Sequence, residues 1–187
     1  MSTQNQPETD RHAALEDLRR AAEASTRDCA ARLELGKMLW RRKRHDEAAR
    51  ELSRALALRP ADPLPVLEAR AGVYWAMGKA RAALRDLKRC IRLSPVPDHF
   101  RLKAARVALH CGDERFLAST LAAWDRARDG DGRQRAEFIR GLRAFAGGRY
   151  AEAASAFSAS GELGRSVAQF SYASMAEGLA AVAGTRA

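Results

Sequence analysis

The chain has 187 residues and a formal net charge of +10, from 33 Lys and Arg against 23 Asp and Glu. The length allows one buried core or a short array of repeats, and the hydrophobic fraction of 47% is ordinary for a folded protein. No apolar run approaches the roughly 20 residues of a membrane-spanning helix, and the opening lacks the pattern of a secretory signal. We therefore expect a soluble, cytoplasmic protein without membrane insertion.

The residues that usually carry chemistry form no recognisable constellation. Cys29, Cys90 and Cys111 are far apart in the sequence, which favours free thiols over a disulfide framework or a zinc site. The four histidines have no cysteine or carboxylate at ligand spacing. No glycine-rich phosphate-binding motif follows a strand. The sequence therefore predicts a protein that is not an enzyme and holds no metal ion or cofactor.

In chain order, the first two elements are a tail and a helix. Residues 1–10, MSTQNQPETD, are polar and are predicted to be disordered. A capping helix is predicted over about residues 11–25, where Ala14, Leu18 and Ala21 lie at the spacing of a later second helix. From there to residue 187 we expect a single domain.

A repeat with a period of about 34–36 residues follows this helix. Its recurring positions are a small residue, a large apolar residue, a turn residue and a small or apolar residue: Gly36, Ala71, Ala105 and Gly141; Trp40, Trp75, Leu109 and Phe145; Lys43, Gly78, Gly112 and Gly148; Ala48, Ala83, Leu117 and Ala153. Each unit is predicted to be two amphipathic helices joined by a tight turn. In the first unit these helices span residues 30–42 and 46–58, and Asp46 is the expected N-cap of the second.

The repeats are predicted over about residues 29–62, 63–97, 98–130 and 134–162, with a C-terminal capping helix over about 165–183. The spacing of the repeat is present in two runs, LGKMLWRRKRHDEAARELSRALALRP in the first unit and IRGLRAFAGGRYAEAASAF in the fourth. The third unit is degenerate. The chain resembles the tetratricopeptide repeat family, whose signature runs W-x2-L-G-x2-Y, A-x3-F and P. Arg70 and Arg140 depart from it, because they stand where the signature prefers Leu.

The resemblance implies an all-α fold, a right-handed superhelical solenoid of antiparallel helix pairs whose first helices line a concave groove. We expect a partner peptide or helix to bind along that groove, at a candidate surface consisting of Leu33, Lys37, Trp40, Arg41, Glu68, Trp75, Leu102, Arg106, Leu109, Phe138, Leu142 and Phe145. Large aromatic residues beside arginine are typical of binding hot spots. The alternative for the large apolar residues is that they are core, packed between adjacent repeats.

A second surface is a run of basic residues on the second helix of the second unit. At helical spacing, one face of this helix carries Arg81, Arg85, Lys88, Arg89 and Arg92, interrupted only by Asp86 at its side. This basic stripe is either a solvated surface or a site for an acidic partner. Nucleic acid is the less favoured partner, because no aromatic residues for base stacking are interleaved with the cations.

The sequence therefore predicts a protein-binding adaptor or scaffold whose partner binds in the groove. One alternative is a dedicated cytosolic chaperone for a secreted or self-assembling client, and another is a nucleic-acid-associated protein that uses the basic stripe.

Overall fold

A computed structural model of the chain describes residues 6–24, 27–127 and 130–166, together with positions 181, 183 and 185. The regular structure of these three ranges is helical throughout. The helices are α1 (Gln6–Ala24), α2 (Cys29–Arg41), α3 (His45–Ala57), α4 (Leu64–Ala76), α5 (Ala80–Leu93), α6 (Asp98–Cys111), α7 (Glu114–Arg126), α8 (Gly130–Ala146) and α9 (Tyr150–Ser166).

The ends of the chain differ from the prediction. Helix α1 begins at Gln6, so that residues 6–10, which we expected to be disordered, are helical. Most of the C-terminal capping helix predicted over 165–183 lies outside the described residues. The chain divides into two compact units, Met1–Val107 and Ala108–Ala187. The single domain over residues 11–187 stays a prediction.

The turns between paired helices lie where the repeat predicts them. Gly78, Gly112 and Gly148 have φ angles of 70°, 71° and 73°, in the left-handed region that glycine adopts without a steric penalty. Lys43 occupies the same position in the first repeat and has a φ of 59°. The turn geometry is therefore shared by all four repeats, although one of them builds it with lysine.

Aspartate side chains cap two of the helices. Asp28 accepts a hydrogen bond from the Ala31 backbone N–H at 3.0 Å at the start of α2, and Asp113 does the same for Phe116 at the start of α7. The prediction that Asp46 caps α3 is wrong. Helix α3 begins one residue earlier, at His45, so Asp46 lies in its first turn, where a carboxylate interacts favourably with the helix dipole.

Small residues allow the helices of a repeat to pack closely. In unit 1, a Cβ atom added at Gly36 of α2 would lie 2.7 Å from Leu52 Cγ of α3. In unit 2, a Cβ atom at Gly141 of α8 would lie 2.5 Å from Phe157 Cδ1 of α9. Both distances are shorter than van der Waals contact, so each glycine is required by the large apolar residue that packs on it.

Candidate functional site

A groove of about 710 Å³ lies on unit 1. Its walls are formed by side chains of α2, α4 and α6, which are the first helices of three successive repeats, and Leu87 of α5 also lines it. This volume lies within the range of about 300–1,000 Å³ that is usual for ligand sites. The described residues of unit 1 therefore provide a concave surface at the place where the repeat predicts one.

Small residues of α4 form part of the lining and make room for Trp40. A Cβ atom added at Gly72 would lie 2.5 Å from Cη2 of the Trp40 indole, so the ring lies directly on the α4 backbone. Ala69, Ala71 and Ala76 add further short side chains. Trp40 is partly buried against the core of unit 1 and also lines the groove, so it connects the first two repeats and offers a ring edge to the groove.

Trp75, the equivalent residue of the second repeat, is 45% exposed. It is one of three large hydrophobic residues that are exposed among the described residues, the others being Leu93 and Val96. An exposed tryptophan in a concave site offers a large apolar area that a partner can bury. The two equivalent tryptophans of unit 1 therefore differ: Trp40 is mainly structural, and Trp75 is accessible.

An ion-pair cluster joins α4 to α6 at the groove. Glu68 accepts a hydrogen bond from the Lys103 ammonium, and its carboxylate lies 3.3 Å from His99 Nε2. Burial acts to raise the pKa of Glu68, but its hydrogen bond and charge interaction with Lys103, helped by His99, hold that pKa below its ordinary value. Glu68 is therefore ionised at neutral pH.

The other charged residues of the groove are basic. Lys37 pairs with Glu34 on the same helix, at 2.7 Å. Arg41 and Arg106 line the groove from α2 and α6, are exposed, and have no ion-pair partner among the described residues. Four cations and one carboxylate thus line the groove, and two guanidinium groups have their donors available to a ligand.

Half of the twelve predicted partner-binding residues line this groove: Lys37, Trp40, Arg41, Glu68, Trp75 and Arg106. Leu33 is half-buried against the core instead. Leu102 and Phe138 are only 5% and 3% exposed, so they belong to the core and their placement on a binding surface is wrong. They are buried because an apolar side chain on a first helix is drawn to the face that packs on its repeat.

The three remaining predicted residues belong to unit 2. Leu109 and Leu142 are half-buried. Phe145 is also half-buried and makes an edge-on contact with Tyr150, with ring centroids 5.4 Å apart. These contacts give Phe145 a packing role within its own repeat.

Lys103 and Val107 of α6 also line the groove but were not predicted to do so, because Leu102 was expected on the groove face. The helical face that lines the groove passes through Lys103, Arg106 and Val107. Leu102 is apolar and its neighbour Lys103 is charged. Because a charged residue is expected to face solvent, this difference could have indicated that Lys103, and not Leu102, lies on the groove face.

The described residues contain no group of three or more His, Cys, Asp or Glu placed to hold a metal ion. Burial raises the pKa of the Cys90 thiol to about 11, with Glu68 and Asp86 adding to the effect, so this cysteine is a poor nucleophile. None of the described helices is long and apolar enough to cross a bilayer.

Two models of the tetratricopeptide repeat match the sequence, one over residues 9–63 and the other over residues 64–97. The chain is a tetratricopeptide repeat protein. Members of this family typically act as protein-interaction modules rather than as enzymes. No curated protein matches the sequence.

Solved structures with a similar fold support the fold class that the sequence predicts, an all-α tetratricopeptide repeat solenoid. A crystal structure of the MamA protein is 19% identical, with a TM-score of 0.67 over 89% of each chain. Another MamA crystal structure is 14% identical, with a TM-score of 0.56 over all of this chain and 96% of that one. A tetratricopeptide repeat protein from Parabacteroides merdae is 17% identical, with a TM-score of 0.67 over 97% of this chain and 70% of its own.

Proposed function

We propose that this tetratricopeptide repeat protein is a non-enzymatic cytoplasmic adaptor or scaffold that binds a segment of a partner protein in the groove of unit 1. The partner segment carries a large apolar side chain close to carboxylates. The observation that carries the proposal is the combination, in one groove, of an exposed Trp75 with two guanidinium groups, Arg41 and Arg106, that have no ion-pair partner in the part of the chain that the structure describes.

Apolar burial supplies the affinity in this proposal. Trp75 is 45% exposed, and the groove of about 710 Å³ that it lines has space for an aromatic or aliphatic side chain of the partner. Tryptophan and arginine are the residue types enriched at the few interface positions that dominate binding energy. A partner that covers Trp75 would remove water from the neighbouring cations as well, which strengthens their interaction with a carboxylate.

Charge supplies the selectivity. The lining has four cations, Lys37, Arg41, Lys103 and Arg106, against the single carboxylate of Glu68. Lys37 is paired with Glu34 and Lys103 with Glu68, so Arg41 and Arg106 are the groups that a partner carboxylate would meet. Guanidinium groups bind carboxylates in a two-pronged geometry, which favours acidic segments over neutral ones.

A displayed library of random 12-residue peptides tests this function without requiring the natural partner. We expect selection on the wild-type protein to enrich peptides that combine an aromatic or large aliphatic residue with Asp or Glu. An enriched peptide, chemically synthesised, should bind the Trp75→Ala variant about 30-fold more weakly than the wild type, and the Arg106→Glu variant at least tenfold more weakly.

The matched control is Arg133→Glu, which reverses an exposed arginine of unit 2 and leaves the groove intact. It should bind the same peptides with nearly wild-type affinity. Enrichment of peptides that bind the wild type and both groove variants equally would overturn the proposal, and so would a failure to enrich any sequence class.

The finer roles predicted from the sequence make different demands on this groove. A dedicated chaperone would keep an aggregation-prone client soluble, which light scattering of the client with and without the wild-type protein measures. An adaptor would bind the client segment without changing its solubility. The Trp75→Ala variant should fail to keep the client soluble if the protein is a chaperone, and should fail to bind the client segment if it is an adaptor.

A further inference from the structure

The basic stripe of α5 is a second charged surface, and it uses no residue of the groove. Four of its five cations, Arg81, Arg85, Arg89 and Arg92, are exposed, and Lys88 is half-buried. Along a helix with a rise of about 1.5 Å per residue, they extend over roughly 16 Å. This length is enough for several contacts with an extended anionic surface.

The structure changes what the sequence indicated about this stripe. Asp86, which the sequence spacing predicts to interrupt the stripe at its side, is only 4% exposed. Its two carboxylate oxygens accept hydrogen bonds from Arg70 of α4, at 2.8 and 2.9 Å. Asp86 is the sole acidic residue in α5, so every exposed charged residue of this helix is a cation.

The equivalent helix of the first repeat shows the usual arrangement. In α3, Glu47 pairs with Arg44 and Arg19, and Glu51 pairs with Arg32 and Arg54. By contrast, the four exposed arginines of α5 have no carboxylate within ion-pair distance among the described residues. These four arginines are thus a local concentration of positive charge without an ion-pair partner among the described residues, beyond the general basic character of the chain.

An apolar tip lies at the C-terminal end of the stripe. Leu93, the last residue of α5, is 51% exposed, and Val96 in the following turn is 68% exposed. The turn is held by a hydrogen bond from the Val96 backbone N–H to Ser94 Oγ at 3.1 Å, and Pro95 and Pro97 restrict its backbone. Two aliphatic side chains are therefore exposed to water at the C-terminal end of the stripe.

We propose that this face of unit 1 docks on an anionic membrane surface. Cations near a membrane that contains acidic lipids gain about 1 kcal/mol each. Exposed aliphatic side chains at the edge of a basic helix face insert at the boundary between head groups and acyl chains. In this docked state the guanidinium groups contact the lipid phosphates, and Leu93 and Val96 enter the boundary between head groups and acyl chains.

The apolar tip favours a membrane over nucleic acid. Single-stranded nucleic acid is held by aromatic side chains on which bases stack, and the stripe and its tip contain none. Aliphatic side chains without aromatic neighbours gain little from bases, whereas their transfer from water into hydrocarbon is favourable.

Sedimentation with large unilamellar vesicles tests the proposal. We expect the full-length protein to bind vesicles of equal parts phosphatidylcholine and phosphatidylglycerol, and not vesicles of phosphatidylcholine alone. The double variant Arg85→Glu with Arg89→Glu should lower the partition coefficient by about 30-fold or more, which corresponds to about 1 kcal/mol for each cation removed. Leu93→Ser with Val96→Ser should lower it by about tenfold without weakening its dependence on salt.

The matched control is Arg50→Glu with Arg133→Glu, which changes the net charge by the same amount at two exposed arginines outside the stripe. Its partition coefficient should stay within about threefold of wild type, and circular dichroism should show that all variants are folded. The proposal is overturned if the wild type does not bind anionic vesicles, or if the control loses as much binding as the stripe variant. It is also overturned if a 20-nucleotide single-stranded DNA binds through the stripe more tightly than the vesicles do.

Discussion

Arg70 and Arg140 occupy the same position of the second and fourth repeats, yet their surroundings differ. The Arg70 side chain is 16% exposed and donates to Asp86 and to Ser53 Oγ, with its guanidinium carbon 5.5 Å from the ring centroid of Tyr74. The Arg140 side chain is 37% exposed and pairs with Asp125, itself 45% exposed, at 2.6 Å. One arginine is part of a buried network, and the other is close to solvent.

The cause is a second position, on the partner helix of each repeat. Three residues after Ala48, Ala83, Leu117 and Ala153 come Glu51, Asp86, Thr120 and Ala156. Arg70 therefore finds a carboxylate in its own repeat, whereas Arg140 finds Ala156 there and pairs with Asp125 of α7 instead. A change on one helix is thus accommodated only when the helix packed against it supplies the matching residue.

The largest effect we expect comes from removing the buried partner. Asp86→Ala leaves the Arg70 guanidinium buried without its carboxylate, and should lower the free energy of unfolding by about 3 kcal/mol. Urea denaturation followed by circular dichroism measures this loss. A loss below about 1 kcal/mol would show that Arg70 reaches solvent or another acceptor, and the contrast with Arg140 would disappear.

The Glu68–Lys103 pair, whose side chains are 37% and 44% exposed, should behave more like the exposed pair. The pKa of Glu68 is lowered in the folded state from its ordinary value of 4.5. Its ionised carboxylate therefore stabilises the fold at pH values above 4.5, and this stabilisation is lost as the pH falls through the lowered pKa. We expect Glu68→Gln to cost about 1 kcal/mol at pH 7 and less at pH 3. Thermal midpoints of both proteins at the two pH values measure the change, and a wider gap at pH 3 would contradict the sign.

The exposed Arg140–Asp125 pair should contribute less to the free energy of unfolding. Asp125→Ala removes the partner of Arg140, which stays accessible to water and keeps its 2.6 Å contact with Glu137, so the expected loss is about 0.5 kcal/mol. In 1 M NaCl this loss should vanish, because exposed charges are screened. A loss comparable to that of Asp86→Ala would mean that exposure does not separate the two pairs.

The smallest effect is expected when both members of the buried pair become apolar. Arg70→Leu with Asp86→Ala copies Leu35 of the first repeat and Ala156 of the fourth. Replacing a buried ion pair by apolar residues is often nearly neutral, so most of the loss caused by Asp86→Ala should be recovered. If the double variant is as unstable as the single one, the contacts of Arg70 with Ser53 and Tyr74 carry the stability.

Part of the groove lining could be predicted from the sequence. The repeat period placed the tight turns and assigned Trp40, Trp75 and Arg106 to first helices, and all three line the groove. Leu102 and Phe138 were misplaced because spacing alone does not say which apolar residue of a helix turns inward. That choice depends on the packing of neighbouring helices, which a periodic pattern describes only on average.

The sequence by itself determined the family, the helix pairs and the turns, because these depend on local spacing and on residues with special backbone preferences. Only the tertiary structure decided which charges are compensated. It turned Asp86 inward to Arg70, left the four exposed arginines of α5 without an ion-pair partner among the described residues, and made Trp75 accessible while Trp40 packs on Gly72. The physical reason is that burial and ion pairing depend on the distances between side chains of different helices. The sequence spacing within one helix does not determine those distances.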